Sequence, residues 1–148
     1  ISTSYSYALD GLFVGDQPQT GIALGATLTP MSGLSIQALF NYYAENYSDW
    51  SPDAREIEDG VADTEQVWKA PSYSRLNLHI NYDLPVDLGG TDISLFAHVF
   101  NALDAVYVQD AVDHSQYNGY GDRTHSAHNA EVFLGVPRNF NLGLKVNF

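Results

Sequence analysis

The sequence predicts an all-β protein whose antiparallel strands form part of the wall of a transmembrane β-barrel. Apolar and polar residues alternate with a period of two in several segments, which is typical of strands with two different faces. About six such segments occur, each roughly nine to eleven residues long, the length that a tilted strand needs to cross a bilayer. The connections between them alternate between short and long, as they do in outer-membrane barrels.

The composition narrows the class of protein. Of the 148 residues, 45% are hydrophobic, 13% are aromatic and only 16% are charged. Few charges and many tyrosines fit a membrane barrel, although a secreted β-sandwich shares them. The net charge of −12 argues against a nucleic-acid partner, because phosphate binding requires Lys and Arg. No cysteine is present, which excludes disulfides and thiolate sites.

Three strands are predicted in the first third of the chain. The opening segment, residues 2–9, alternates most weakly, with tyrosines between serines. Residues 21–29 carry an aliphatic residue at every second position, with glycine, alanine and threonine between them. Residues 34–43 repeat this pattern with larger apolar residues, and Leu39 is the exception on the polar face. Each segment therefore has one face suited to lipid.

Three further strands are predicted in the rest of the chain. Residues 73–84 place an aliphatic face directly behind a face of arginine, asparagine, histidine and aspartate. Residues 92–100 alternate less strictly, because Phe96 and Phe100 share the inner face with His98. The last segment is the clearest, with every second residue apolar: Phe140, Leu142, Leu144, Val146 and Phe148. A lipid-facing row behind a water-facing row is what a barrel wall requires.

The connections predict which side of the membrane each strand end faces. The turns at 30–33 and 85–90 are short, whereas the connections at 44–72 and 109–130 are long. Short turns are periplasmic and long loops are external in outer-membrane barrels. The slip of face at 101–104 predicts a bulge. Six strands cannot close a barrel, so we expect a larger wall, and an export signal removed from or lying outside this sequence.

Several segments resemble one family when they are taken in order. The chain reads NALDAVYV at 101–108, GVPRNF at 135–140 and YYAENYSDW at 42–50, and its alternating last strand ends at Phe148. Together these segments resemble the C-terminal end of TonB-dependent outer-membrane receptors. The resemblance implies a barrel of roughly 22 strands that is plugged by an N-terminal domain. Residues 1–148 would then be the C-terminal portion of the barrel domain, without the plug and the remaining strands.

The resemblance also implies a function. Such receptors lie in the outer membrane of Gram-negative bacteria and import ferric siderophores, haem, cobalamin or glycans. The implied partners are outer-membrane lipid, the barrel-assembly machinery that reads the terminal Phe148, the TonB system through the absent N-terminal parts, and an extracellular nutrient. We expect no enzyme activity and no cofactor, since the sequence contains no catalytic motif such as Gly-x-Ser-x-Gly or His-Glu-x-x-His.

Candidate ligand-binding residues lie in the long connection 44–72. It is acidic, with Glu56, Glu58 and Asp59 among its carboxylates, and only Arg55 and Lys69 oppose them. Its aromatic residues can stack on a sugar or an aromatic ligand, or anchor at lipid headgroups. Its carboxylates can capture a ligand, or simply keep a solvated loop soluble. The residues that we predict to bind ligand are Tyr47, Asp49, Trp50, Asp53 and Trp68.

The histidines give a weaker signal. His125 and His128, with His114 upstream, have the residue type of a metal site, but no helix or carboxylate at a fixed spacing supports one. We therefore predict no metal. The inward-facing residues are predicted to bond to the plug or to bound water, and they are Arg75, His79, Asp83, His98, Lys145 and Asn147.

Two alternatives remain open at this level. A small self-contained outer-membrane barrel would need two more strands, which only the connection 44–72 could supply. A soluble β-sandwich that binds carbohydrate would need the aliphatic faces to meet across a core. In that case the polar face of residues 73–84 would be an exposed sheet surface.

Overall fold

The computed structural model describes residues 4–55, 57, 60–86, 89–113 and 124–148. Within these residues the regular structure is a short 3₁₀ turn, Pro52–Arg55, and eight strands. No helix among them is long and apolar enough to cross a membrane. The strands are β1 (Pro18–Met31), β2 (Leu34–Tyr47), β3 (Lys69–Ala70), β4 (Tyr73–Asp83), β5 (Asp92–Phe100), β6 (Val108–Asp113), β7 (Ala130–Leu134) and β8 (Asn139–Asn147).

The chain divides into two compact units, which we treat separately. The sheet unit comprises Gly21–Tyr43, Tyr73–Val106 and Val136–Phe148. The loop unit comprises Ile1–Thr20, Ala44–Ser72 and Tyr107–Gly135.

The main sheet has the strand order β1-β2-β4-β5-β8, with the two-residue β3 beside β2. The pairs β2–β4, β4–β5 and β5–β8 are antiparallel. The all-β class with antiparallel sheets is therefore confirmed. Among the described strands the sheet is open, because β1 and β8 each pair with one neighbour only.

One face of this sheet is aliphatic across all its paired strands. Ile36 lies opposite Ile80, which lies opposite Ala97, which in turn lies opposite Leu142. Because side chains alternate between faces, this register gathers the apolar sets of all four strands on one side. The face is uncovered in β8, where Leu142 is 77% and Phe140 is 68% exposed.

The opposite face is polar. The row beside the aliphatic one runs from Gln37 through His79 and His98 to Asn141. Phe96 is an exception with a structural reason. Its ring lies directly over Gly143 on β8, where any side chain would collide with it. An aromatic ring covering a cross-strand glycine keeps this position packed.

The loop unit holds a second sheet of two antiparallel strands, β6 and β7. Among its described residues, the buried apolar side chains come from several segments, and they are Val67, Ala70, Tyr107, Ala111 and Ala130. Gly135 lies against the Tyr107 ring so closely that a side chain there would collide with it. The described residues of the loop unit therefore pack around buried side chains of their own rather than forming a bare solvated loop.

Three expectations about the elements were wrong. Within residues 4–9 only Tyr7 forms an isolated bridge, so the described part of the opening segment is not a strand. The connection 109–130 contains most of β6 and the start of β7. Instead of a bulge at 101–104, the chain makes a turn in which Asn101 and Asp104 have φ of 50° and 54°. The Asn101 side chain holds this turn by bonding both the N–H and the carbonyl of Ala105.

Candidate ligand-binding site

Two of the predicted ligand-binding residues meet through an aromatic residue that the sequence did not single out. The Phe13 and Tyr47 rings stack, with centroids 4.6 Å apart and planes at 17°. The Trp50 Nε1–H donates to the Phe13 carbonyl at 2.9 Å, which satisfies its one polar atom. We call these three residues the aromatic cluster. Arg55 lies over the Trp50 ring and Lys69 over the Tyr47 ring, whereas the Phe13 side chain is 45% exposed and can stack on a planar ligand.

The other predicted ligand-binding residues take different places in the loop unit. Trp68 contributes its backbone, since its carbonyl accepts hydrogen bonds from the Ser48 N–H at 2.9 Å and the Ser48 hydroxyl at 3.1 Å. Asp53 is exposed in the 3₁₀ turn. Asp49 is tied down by its backbone, which bonds to Ala111 and Asp113 on β6. The structure thus groups Tyr47 and Trp50 but not the whole predicted set.

The Asp49 carboxylate belongs to an acidic cluster with Asp16 and Asp110. A hydrogen bond between the Asp16 and Asp110 side chains, together with burial and the nearby charges of Asp110 and Asp49, raises the pKa of Asp16 to about 6. Two carboxylates in hydrogen-bond contact favour sharing one proton. The sequence placed only Asp49 at the site, because Asp16 and Asp110 are far from it along the chain.

Replacing Asp16 with asparagine is expected to stabilise the loop unit at pH 7. The folded-state pKa of about 6 lies above the ordinary value of 3.8, so the stability that Asp16 contributes is present below pH 3.8 and is lost as the pH rises through 6. Asparagine keeps the side-chain size and tolerates the φ of 63° at this position, but it carries no charge.

Hydrogen exchange of the loop-unit amides between pH 4 and 8, corrected for intrinsic rates, measures this effect. The Asp16→Asn protein should lose less stability than the wild type between about pH 4 and 6. Asp53→Asn, which removes an exposed carboxylate from the same unit, is the matched control and should leave the profile unchanged. A wild-type profile in the Asp16 variant would contradict the shared-proton interpretation.

A buried ionic network forms the second feature of the loop unit. The side chain of Arg55 is fully buried, and its Nη1 donates to Asp63 Oδ1 at 3.0 Å and to the Glu65 carbonyl at 2.9 Å. His125 lies between two carboxylates, with Nε2 2.8 Å from Asp63 Oδ2 and Nδ1 2.6 Å from Asp113 Oδ2. We call Arg55, Asp63, Asp113 and His125 the buried network.

Charge compensation controls the protonation of Asp63 in this network. Burial by itself would raise the pKa of Asp63, but the hydrogen bond to His125 and the positive charges of Arg55 and His125 outweigh it and lower the pKa. Each ring nitrogen of His125 faces one carboxylate oxygen, Nε2 that of Asp63 and Nδ1 that of Asp113. The network therefore keeps a segment rich in acids folded by pairing its buried charges.

The buried network contains one histidine of the candidate metal motif, His125. Both ring nitrogens of His125 are engaged by carboxylates, whereas His128 is exposed. His114, Glu56, Glu58 and Asp59 lie outside the described residues. Among the residues that the structure does describe, no three His, Asp or Glu side chains are placed to hold a metal ion together.

Several of the predicted wall residues lie beside other residues of the polar face. Arg75 lies over the Tyr43 ring, with its Cζ 5.5 Å from the ring centroid. Asp83 Oδ1 accepts a hydrogen bond from the Ser94 hydroxyl at 2.7 Å. Lys145 lies opposite Ser94 in the register of β5 and β8. At the end of the chain Phe148 is fully exposed.

Comparison with known proteins adds no relative: no family model, curated protein or solved structure matches this chain. The geometry of the sheet face and of the loop unit therefore carries the functional argument.

Proposed function

We propose that this chain is the C-terminal part of a TonB-dependent outer-membrane receptor that imports a scarce nutrient. The observation that carries the proposal is the exposed aliphatic face of the sheet unit. On β1 and β8 the most exposed large side chains of this face are Leu24, Leu28, Phe140, Leu142 and Leu144, each at least 58% exposed. A soluble protein rarely leaves so wide an apolar patch in water, whereas a lipid-facing wall requires one.

The opposite face supports the same arrangement. The polar row of Gln37, His79, His98 and Asn141 would line the aqueous interior of a barrel. The connections also fit, because the short ones join β1 to β2 and β4 to β5, and the long ones follow β2 and β5.

The open edges of the sheet favour a partial wall. β1 and β8 each have one paired neighbour among the described strands. An unpaired strand edge in lipid leaves each free backbone group at a cost of several kcal/mol, so these edges must pair with further strands. Strands elsewhere in a longer protein would supply that pairing.

The loop unit favours a particular class of nutrient. The aromatic cluster of Phe13, Tyr47 and Trp50 offers a stacking surface, and the acidic cluster offers carboxylates that accept hydrogen bonds from hydroxyl or amino groups. The net charge of −12 would repel an anionic ferric chelate. We therefore favour a glycan or a peptide over an anionic ferric chelate as the nutrient.

The two alternatives have less support. A small self-contained barrel needs two more strands from 44–72, but the described residues of that connection add only the two-residue β3 to the sheet. A soluble sandwich needs its aliphatic face covered, and the Leu142 side chain on that face is 77% exposed.

Heat modifiability of the native protein tests the membrane part of the proposal. Outer membranes are isolated, and an antibody against the 44–72 segment is used on heated and unheated samples. We expect a species several times heavier than 16.3 kDa that changes its migration on heating. A heat-shifting species near 16 kDa would support the small barrel. A species found only in the soluble fraction would exclude every membrane assignment.

Nutrient-limited growth tests the import part. A strain lacking the protein is compared with its parent on glycan, peptide, haem, cobalamin or ferric siderophore as the limiting nutrient. We expect a growth defect on one of them, which should be reproduced in the parent by loss of TonB. Equal growth of both strains on all five sources would contradict the import proposal and leave the membrane assignment intact.

A further inference from the structure

The polar face of the sheet unit carries two histidines in the geometry of a metal chelate. His79 on β4 lies directly opposite His98 on β5, and their Nδ1 atoms are 2.8 Å apart. We propose that this histidine pair binds one divalent transition-metal ion, such as Cu²⁺ or Zn²⁺, through both Nδ1 atoms. The inference goes beyond the proposed function and does not depend on it.

The separation of the two nitrogens fits a common metal ion. Metal–nitrogen bonds of about 2.0 Å place two adjacent ligand nitrogens about 2.9 Å apart in a square or octahedral geometry, and about 3.3 Å apart in a tetrahedral one. The observed 2.8 Å is within a few tenths of an ångström of the first value. Small side-chain rotations would therefore direct both lone pairs at one ion, without movement of the strands.

The aromatic residues around the pair restrict where the imidazoles can go. The Phe96 ring stacks on His98 with centroids 5.3 Å apart, and the Phe100 ring meets the edge of His79 at 5.6 Å. Ligands that are already held near the bound geometry lose little conformational entropy on binding. The pair also lies on paired strands of a continuous sheet, which is a more rigid support than a loop.

The chemistry of the donors selects the class of ion. Neutral imidazole suits Zn²⁺, Cu²⁺ and Ni²⁺, whereas Ca²⁺ and Mg²⁺ require oxygen ligands. The nearest residues along the same row are the amides Gln37 and Asn141, at a cross-strand spacing of about 5 Å between Cβ atoms. An amide oxygen or water would complete the coordination. Two protein nitrogens predict reversible binding that is tightest for Cu²⁺.

The histidine pair can also stabilise the sheet without a metal ion, and the experiment must distinguish this structural role from metal binding. In the absence of an ion, one Nδ1–H can donate to the other Nδ1, and this hydrogen bond links β4 to β5. A purely structural pair would make the His variants less stable but would bind no ion. A measurement of stability alone would not distinguish the two roles, so the number of bound ions and the spectrum of the bound ion are measured as well.

The test is a metal titration of the full-length protein purified in detergent. Binding of Cu²⁺ and Zn²⁺ is measured by calorimetry for the wild type, for His79→Gln and for His98→Gln. In each variant the wild-type site should be lost, so that one ion fewer binds at the affinity of that site. Loss of a direct ligand should lower the metal affinity by more than the about 10- to 100-fold that loss of an outer-sphere partner costs. His128→Gln, which removes an exposed histidine of the loop unit, should behave as the wild type.

Electron paramagnetic resonance of the wild type makes the result independent of how the variants fold. With ¹⁵N-histidine labelling, bound Cu²⁺ should show coupling to two imidazole nitrogens. Equal stoichiometry and affinity in the wild type and the His98 variant, or a spectrum without that coupling, would overturn the proposal. Neither result would bear on membrane location or import, which have their own tests above.

Discussion

Replacing Arg55 with alanine is expected to destabilise the loop unit by about 3–5 kcal/mol, the cost of breaking a buried ion pair by removing one partner. The Arg55 guanidinium is fully buried, and it pairs with Asp63 and bonds to the Glu65 carbonyl. Without it, His125 is the charged partner that remains to the Asp63 carboxylate among the residues that the structure describes. The Glu65 carbonyl loses its donor as well. Both losses raise the free energy of the folded state but not that of the unfolded chain, in which water solvates these groups.

The measurement is hydrogen exchange of the backbone amides in peptides from 44–72. Exchange should accelerate by roughly 150- to 5000-fold if it proceeds through opening of the loop unit, since every 1.4 kcal/mol or so is a factor of about ten. Arg138→Ala is the matched control, because its ion pair with Asp104 is 3.3 Å long and about half exposed. Exposed pairs contribute about 0–1 kcal/mol, so this variant should exchange almost as the wild type does. Equal effects of the two variants would show that the buried network does not hold the loop unit together.

Lysine at position 55 separates charge from geometry. Arg55→Lys keeps one positive charge, but an ammonium cannot reproduce the planar set of donors that reaches Asp63 and Glu65 together. Its stability should therefore lie between those of the wild type and the alanine variant. If lysine restored full stability, charge neutralisation alone would explain the network.

The alternation of the sequence predicted the main sheet because its physical cause acts locally. Each of β1, β2, β4, β5 and β8 overlaps a segment in which apolar residues recur at every second position. A sheet with one apolar and one polar face imposes this period on every strand, and the short turns fix which strands pair. The short turn between β4 and β5 accounts for the pairing of Ile80 with Ala97. The pairs β2–β4 and β5–β8 form across long connections, and there the alternation fixes only which face is apolar.

The alternation gave wrong predictions in segments where strand pairing does not follow it. The tyrosines and serines of residues 4–9 alternate, but apart from one bridge they pair with no strand. Conversely, β6 and β7 pair as antiparallel strands although a register shift between Val108 and Asp110 breaks the period. A bulge places two residues opposite one, so side chains on its two sides fall out of step.

The candidate sites differ in how far the sequence predicted them. His79 and His98 were predicted on the inner face, and their pairing follows from strands that flank one short turn. The buried network could not be predicted, since Arg55 meets Asp63 and His125 across 8 and 70 residues of chain, and none of these three residues lies in a strand whose pairing would bring them together. The one feature of the sequence that pointed to the network is composition. Arg55 and Lys69 are the only basic residues in the acidic connection 44–72, so carboxylates are available to pair with each of them.

Replacing Leu142 with arginine is expected to destabilise the protein in a lipid bilayer by about 2–4 kcal/mol, the cost of placing a charge on the lipid face near the bilayer midplane. Leu142 lies near the middle of β8 on the aliphatic face and is 77% exposed. In water an exposed leucine can be replaced by arginine within about 0.5 kcal/mol. The same substitution is therefore costly in a bilayer and nearly neutral in water.

Asn141→Arg is the matched control, because it places the same side chain one residue away on the opposite face. In a barrel this face lies toward the aqueous interior, so the variant should fold nearly as the wild type does. Urea unfolding of the full-length protein in lipid vesicles, followed by the loss of its heat-modifiable form, gives both free energies. Two neutral variants would place the aliphatic face in water and contradict the membrane proposal.

A depth series separates lipid from a protein core, since either environment would penalise arginine at position 142. Arginine is introduced in turn at the outward positions of β8, which are Phe140, Leu142, Leu144 and Val146. In a bilayer the penalty should be largest near the midplane and fall to about 0–1 kcal/mol toward the headgroups, where the guanidinium reaches water. In a packed core it should instead be high at every position, because no position offers that escape. A maximum at the centre of β8 would thus identify lipid as the occupant of this face, and a uniform penalty would identify protein.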